Sequence, residues 1–436
     1  MAAVGEAPTL FLRKATGLVK GWSKFDAFLY SFMSVNFVTL GLFFALSVLA
    51  FVPTGQVLPA LLISGVFVTF LVITYAGLIS VMPRAGGDYV WQSRVMGGGI
   101  AFVLAVTGWW FILWYWAPIY GNILNVEVLQ PLAATFKWDG VSDFLATDNG
   151  LFVVILATVV LAGYLVSLGM EGYAKVQKVC FYVGMIALAV VFILLASKFF
   201  GWEFFNAANL NYWASVYGFG DASIPVWSYA PFLASFYFHS SLISALIVLA
   251  FGAWFLGWAG TLFLSSTRVI FAAAFDRVLP EKVADVSEKR HVPVWALVLM
   301  LVPSIAVGAL YAYTSKFSTY ILDATLVIAV TFFGTAIAAM ILPYRKKSLY
   351  ANSAIARYKI LGLPLITVTG FITAAFLGFN LWHWFTNDLY AVNNSDSLWF
   401  MGIMYGLALI IYIVAKIYRK RQGIDLSAVY KEIPVE

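Results

Sequence analysis

Charge is scarce in this chain. Of its 436 residues, 11% are Asp, Glu, Lys or Arg, against 63% hydrophobic and 18% aromatic. Soluble domains carry roughly a quarter of their residues as charges, which excludes that class. Cysteine is nearly missing: Cys180 stands alone, so no internal disulfide can form. The histidines, His239, His291 and His383, are widely separated. There is no H-E-x-x-H, no G-x-S-x-G and no phosphate-binding glycine loop, which leaves an intramembrane enzyme without chemical parts. The formal charge of +6 is not a nucleic-acid signal, because the basic residues sit in short loops and at the ends. A cleavable signal is not expected either. The first apolar run is too long for a signal-peptide core and no small-residue cleavage pattern follows it.

What the chain has instead is long apolar runs. Each run of 18 residues or more can cross a hydrocarbon core of ~30 Å as a helix. Ten spans are expected, at roughly 25–52, 57–82, 97–124, 150–169, 176–200, 242–275, 292–314, 318–343, 360–385 and 397–418. The fold class is therefore an all-α polytopic membrane protein. It divides into an N-terminal segment 1–24, a transmembrane domain 25–418 and a tail 419–436.

Basic residues orient it. With the N-terminus inside, only Lys137, Lys198 and Lys316 of the 26 Lys and Arg fall outside. Both termini are thus expected in the cytoplasm, with 125–149 and 201–241 outside and the plasma membrane as the location. An eleventh span at 224–241 would reverse every later loop, so that stretch reads as re-entrant or interfacial.

Between the second and third spans lies PRAGGDYVWQSR, 83–94. Pro83 ends a helix because it lacks a donor. Gly86 and Gly87 permit a bend through positive φ. Asp88 is expected to cap the following helix. By composition alone the stretch could be no more than a tight basic loop.

Its wording, however, closely resembles the loop after the second helix of the amino acid–polyamine–organocation permeases. Two further stretches are similar to that family: SSTRVIFAAAFDRVLPEKVADVSEKRHVPVWAL, 265–297, to its eighth helix and the loop beyond, and GMEGYAKVQKV, 169–179, to the start of its fifth. The resemblance covers about residues 15–420. It implies a LeuT-type helical bundle of two inverted repeats, normally of twelve helices, with a substrate at breaks in the first and sixth. It implies a permease for amino acids or related small amines working by alternating access. No cofactor is implied; the partners are a small-molecule substrate and the bilayer. The chain departs from the family between Phe200 and the eighth-helix stretch, where counterparts of the sixth and seventh helices are not found. That departure supports a rival expectation, a homologue that does not transport and serves as a scaffold or partner subunit.

The resemblance also directs attention to YSFMSVNFVTLGLFFAL, 30–46. The family's broken first helix aligns here, with Gly41 kept and Thr39 in place of a second glycine. Ser34, Val35, Asn36, Thr39 and Gly41 are the candidate substrate-binding residues. An asparagine in the middle of a span asks for a partner. The alternative is small-residue packing between helices. Trp109 and Trp110, in GWWFILWYW, could sort a side chain through their faces, or simply pack. Gly257, in GAWFLGWAGT, allows close backbone approach. Thr261 retains half of the hydroxyl pair that sodium-coupled relatives carry and is a weak sodium candidate. Some proton-linked relatives place a lysine where this chain has Gly184. Asp323 could meet an ammonium or a proton, or lie at the outer interface. Arg268 and Asp276, two turns apart, are expected to be structural, as are His239 and His383.

Overall fold

The computed structural model describes residues 18, 21–36, 56–198 and 240–431. These residues form α1 (Lys24–Val35), α2 (Val57–Val81), α3 (Gly87–Val95), α4 (Gly98–Thr135), α5 (Asp148–Ser167), α6 (Gly169–Lys198), α7 (Ser241–Ala259), α8 (Thr261–Phe275), α9 (Val294–Tyr313), α10 (Ile321–Arg345), α11 (Leu365–Thr386), α12 (Ser395–Arg421) and a short α13 (Leu426–Val429). Among the described residues, nine helical stretches are long and apolar enough to cross a membrane, with α7 and α8 forming one of them. The protein is an all-α polytopic membrane protein. Of the first expected span, 25–52, only α1 and Asn36 are described; the rest lies outside the described residues, as do 199–239 and with them the question of a sixth and a seventh helix.

Several boundaries differ from expectation for local reasons. The third span does not stop at 124. α4 runs 38 residues to Thr135, and the stretch 125–149 expected as a loop is largely helix, including Asp139–Leu145. At 1.5 Å per residue α4 is about 57 Å long, well beyond the hydrocarbon core, so it must tilt or project. It also carries two π-helical turns, Thr107–Phe111 and Asn125–Leu129. The fifth span starts earlier than expected, at Gly169, where φ +77° turns the chain sharply out of α5. A side chain there would meet the Arg290 carbonyl oxygen at 2.7 Å. The ninth span starts later, because Lys359–Ile360 and Leu363–Pro364 form a two-residue antiparallel hairpin. Leu361 and Gly362, both at positive φ, make its turn.

The main core lies where α4, α5, α7, α8 and α9 meet, around Phe102, Phe111, Tyr115, Trp258 and Phe263. α10 packs on α11, and α11 on α2. α2 and α12 leave most of their apolar surface outside the bundle, as lipid-facing helices do. Lipid is as apolar as leucine, so association here depends on fit and on polar contacts rather than on expulsion of water.

Those polar contacts gather at one end, called here the basic end. Arg290 donates to the Ser167 carbonyl, Arg345 to the Val95 carbonyl, and Arg419 to the carbonyls of Arg277 and Leu279. Each ties a loop to a helix terminus, where carbonyls lack helical partners.

Candidate functional site

Two polar clusters stand out, and the three stretches singled out in the sequence build them. The first is centred on PRAGGDYVWQSR. This stretch is not a loop: α3 occupies most of it, and every residue from Asp88 to Val95 is buried. Gly86 sits at φ +102°, and a Cβ there would lie 2.5 Å from that of Ala272 on α8. Both the turn and the close approach therefore require glycine. The Trp91 indole donates to the Met82 carbonyl, closing the end of α2.

Asp88 does not cap the helix, contrary to expectation. Its carboxylate is turned inward and accepts from the Tyr75 and Thr335 hydroxyls, each at 2.5 Å. Gln92 adds bonds to the Thr331 carbonyl and the Thr335 hydroxyl. Burial pushes the Asp88 carboxyl above the usual carboxylate range, against the pull of the Thr335 and Tyr75 bonds. At the other end of α3, Arg94 grips Asp276 with two nitrogens at 2.5 and 2.8 Å. Both side chains are 1% exposed. The two best-matching motifs, 182 residues apart, are thus joined by one buried bidentate pair. The tail completes this end, with the Tyr430 ring covering Gly98 and facing the Arg94 guanidinium at 5.6 Å.

The second cluster surrounds the end of α1. The helix stops at Val35, and Asn36 turns left-handed at φ +46° with its side chain fully buried. A non-glycine residue in that region is held there by its surroundings. Ser34 bonds back to the Tyr30 carbonyl, and Val35 is exposed. Thr39 and Gly41 lie outside the described residues. Opposite Asn36's helix, α7 gives way to α8 at Gly260, where a Cβ would meet the Tyr173 ring at 2.7 Å. The Gly257 carbonyl accepts from the Tyr173 hydroxyl at 2.8 Å and the Gln177 amide at 3.0 Å. Met33 of α1 packs on Gly257, and Tyr30 reaches Ser265 and the Thr261 carbonyl. The Tyr120 ring stacks on Trp258.

This region holds polar atoms without partners. Buried and unbonded are Gln177 Oε1, Trp254 Nε1 and Trp258 Nε1. Three such atoms beside the single-residue turn at Gly260, where α7 runs into α8 with helical backbone, are costly to leave unmet in a membrane interior. A ligand with both donors and acceptors could meet them. Gly184 has a role too: a Cβ there would strike the Trp254 indole at 2.5 Å, so this position seats an indole in place of a longer side chain.

The structure brings Ser34, Val35, Asn36, Gly257 and Thr261 to neighbouring elements. It places the two tryptophans on α4 against other neighbours. Trp110 is buried and donates to the Leu299 carbonyl of α9; Trp109 packs on Phe332 of α10 and adjoins Asp88 without a formed hydrogen bond. Trp109 thus belongs to the packing around α3, and Trp110 to the contact of α4 with α9. Thr261 donates its hydroxyl to the Trp258 carbonyl. No group of three His, Cys, Asp or Glu able to hold a metal occurs among the described residues. Asp323 is buried in the first turn of α10 and accepts from Ser397, so it does not lie open at the outer interface. His383 stacks on Phe379 and Tyr390; His239 lies outside the described residues.

Tyr30, Tyr120, Tyr173, Gln177, Trp254 and Trp258 were not singled out from the sequence. Tyr173 and Gln177 could have been. They are four apart in GMEGYAKVQKV and so share a helix face.

Residues 213–414 match the family model described as amino acid permease. Over that region the chain is similar to the amino acid permeases of the amino acid–polyamine–organocation superfamily. The matched region runs from the approach to α7 through most of α12, and so takes in the Gly257–Gly260 break and Asp276. Comparison with curated proteins gives no match. The match to an amino acid permease model, together with the membrane-spanning helices, supports a membrane transporter.

Proposed function

We propose that this permease carries amino acids or related small amines by alternating access, with the substrate held between the end of α1 and the break at Gly260. The observation that carries the reading is the set of unbonded polar atoms at that break, on Gln177, Trp254 and Trp258, beside a helix that ends at a buried left-handed Asn36. Broken helices in such folds expose backbone groups to a carboxylate and an ammonium. Thr39 and Gly41 continue the chain from Asn36 and are proposed to complete the site. Arg94 and Asp276 would close the basic end, which the distribution of Lys and Arg assigns to the cytoplasm, with both termini on that side of a plasma membrane.

A binding scan tests this. Purified protein is titrated with each of the twenty amino acids and with simple amines, and melting temperature is followed. At least one should raise it in the unmutated protein, and none should in Gly257→Leu, whose side chain would meet Met33 and Cys180. If a folded preparation of the unmutated protein binds none, the reading as a scaffold or partner subunit replaces this one.

A further inference from the structure

The inner third of α12 carries a groove that neither cluster uses. It holds about 810 Å³ and lies between α12 and the segment following α8. Leu279, Ile410, Val414 and Tyr418 form its walls; Arg419 and Glu281 stand at its polar end. We propose that this groove binds one acyl chain of an anionic phospholipid, with the phosphate held at the basic end of α12.

The groove is built rather than incidental. Arg419 is 8% exposed, and three of its nitrogens are committed, to the carbonyls of Arg277 and Leu279 and to Gln422. These bonds fix the 277–281 segment against α12 and set the groove's width. The outer wall is lipid-facing: Ile410, Val414 and Tyr418 are each more than half exposed on a helix that spans the membrane. The occupant is thus drawn from the bilayer, and the groove accepts a hydrocarbon chain better than flat helix surface does.

Charge selects the headgroup. Arg421 lies one helical turn beyond Tyr418, on the side of the groove mouth, and is exposed. Lys282 stands over the Trp295 ring at 4.7 Å, at the start of α9, where an aromatic sits at headgroup depth. Glu281 is the opposing charge, and it already faces Arg277 and Arg419 at 3.9 and 3.8 Å. Together with Arg421 and Lys282, which lie next to groove-lining residues in the chain, the charges there sum positive, which favours a phosphate without a compensating ammonium over a zwitterionic headgroup. The groove lies apart from the Gly257–Gly260 break, so the inference stands whether or not the chain transports amino acids.

The test compares phosphatidylglycerol with phosphatidylcholine of identical chains, added to delipidated protein in detergent. Native mass spectrometry counts the lipids retained. Phosphatidylglycerol should be retained preferentially, by about fivefold for each basic residue engaged. Arg421→Glu together with Lys282→Glu should abolish the preference and leave the lipid-free melting temperature unchanged. Val414→Trp, which fills the groove, should remove the tightly held lipid of either kind. A phosphatidylglycerol with a photoreactive acyl chain, used on the unmutated protein, should crosslink within 410–418. Equal retention of the two lipids, crosslinks confined to other helices, or the same stabilisation by inorganic phosphate alone would overturn the proposal.

Discussion

The two ends of α8 are held in opposite ways. At its C-terminal end, Asp276 and Arg94 satisfy each other through two hydrogen bonds, and the neighbouring Asp88 takes two hydroxyls. At its N-terminal end, beside Gly260, the Gly257 carbonyl is bonded twice, while Gln177 Oε1 and the Trp254 and Trp258 indole nitrogens around it have no hydrogen-bond partner. The first arrangement resists change, because separating a buried ion pair strands two charges. The second has unmet demand, which a ligand could fill. One helix thus joins a buried ion pair at one end to the candidate binding site at the other.

Breaking the closure should have the largest effect. Arg94→Ala leaves the Asp276 carboxylate buried and unpaired, and should cost about 3–5 kcal/mol. Loss of folded protein on fluorescence-detected size exclusion would register it. Arg94→Met combined with Asp276→Leu removes both charges and should recover most of the folded fraction. If the double variant is no better than the single one, the pair is not what holds these segments together.

Next comes the turn before α3. Gly86→Ala meets both a positive φ and the Ala272 side chain, while Gly87→Ala, at φ +44°, meets only the rim of Trp91 at 4.0 Å. About 2–3 kcal/mol is expected for the first and about 1 for the second. Melting temperatures of the two variants in one detergent check the order, and a reversed order would contradict the packing of α3 on α8.

The sequence made the spans legible and missed this closure's chemistry. Long apolar runs fix helices because hydrocarbon leaves the backbone no other partner. Pro83 and the glycine pair marked the turn for the same local reasons that hold in the structure. Asp88 was misread because capping is a local pattern, whereas its partners Tyr75 and Thr335 lie on α2 and α10, the latter 247 residues away. Arg268 and Asp276 were grouped as structural, yet the bond between Asp276 and Arg94, 182 residues away, was invisible to spacing. At the break, Asn36 and Gly257 were visible as a polar residue and a glycine in apolar runs. Trp109 and Trp110 were not separable from Trp254 and Trp258, because composition does not say which face of a helix meets which neighbour. The second cluster's acceptor and donor set emerges only once α1, α6 and α7 are brought together.

The smallest effect is expected at the edge of the break. Tyr173→Phe removes one of two bonds to the Gly257 carbonyl and leaves the Gln177 bond in place. Stability should change by less than about 1.5 kcal/mol. Substrate affinity should fall more than stability does, since the Gly257 carbonyl is freed to re-aim at the break. Paired titrations of melting temperature and ligand affinity separate the two. Equal losses in both would place Tyr173 with the scaffold.

The most direct test of the account is counterflow in proteoliposomes. Vesicles containing the purified protein are loaded with a mixture of unlabelled amino acids and diluted into labelled ones, taken in turn. The account predicts accumulation of at least one label by the unmutated protein, absent with Gly257→Leu and with protein-free vesicles. Correctly folded, reconstituted protein that accumulates none of them would contradict it.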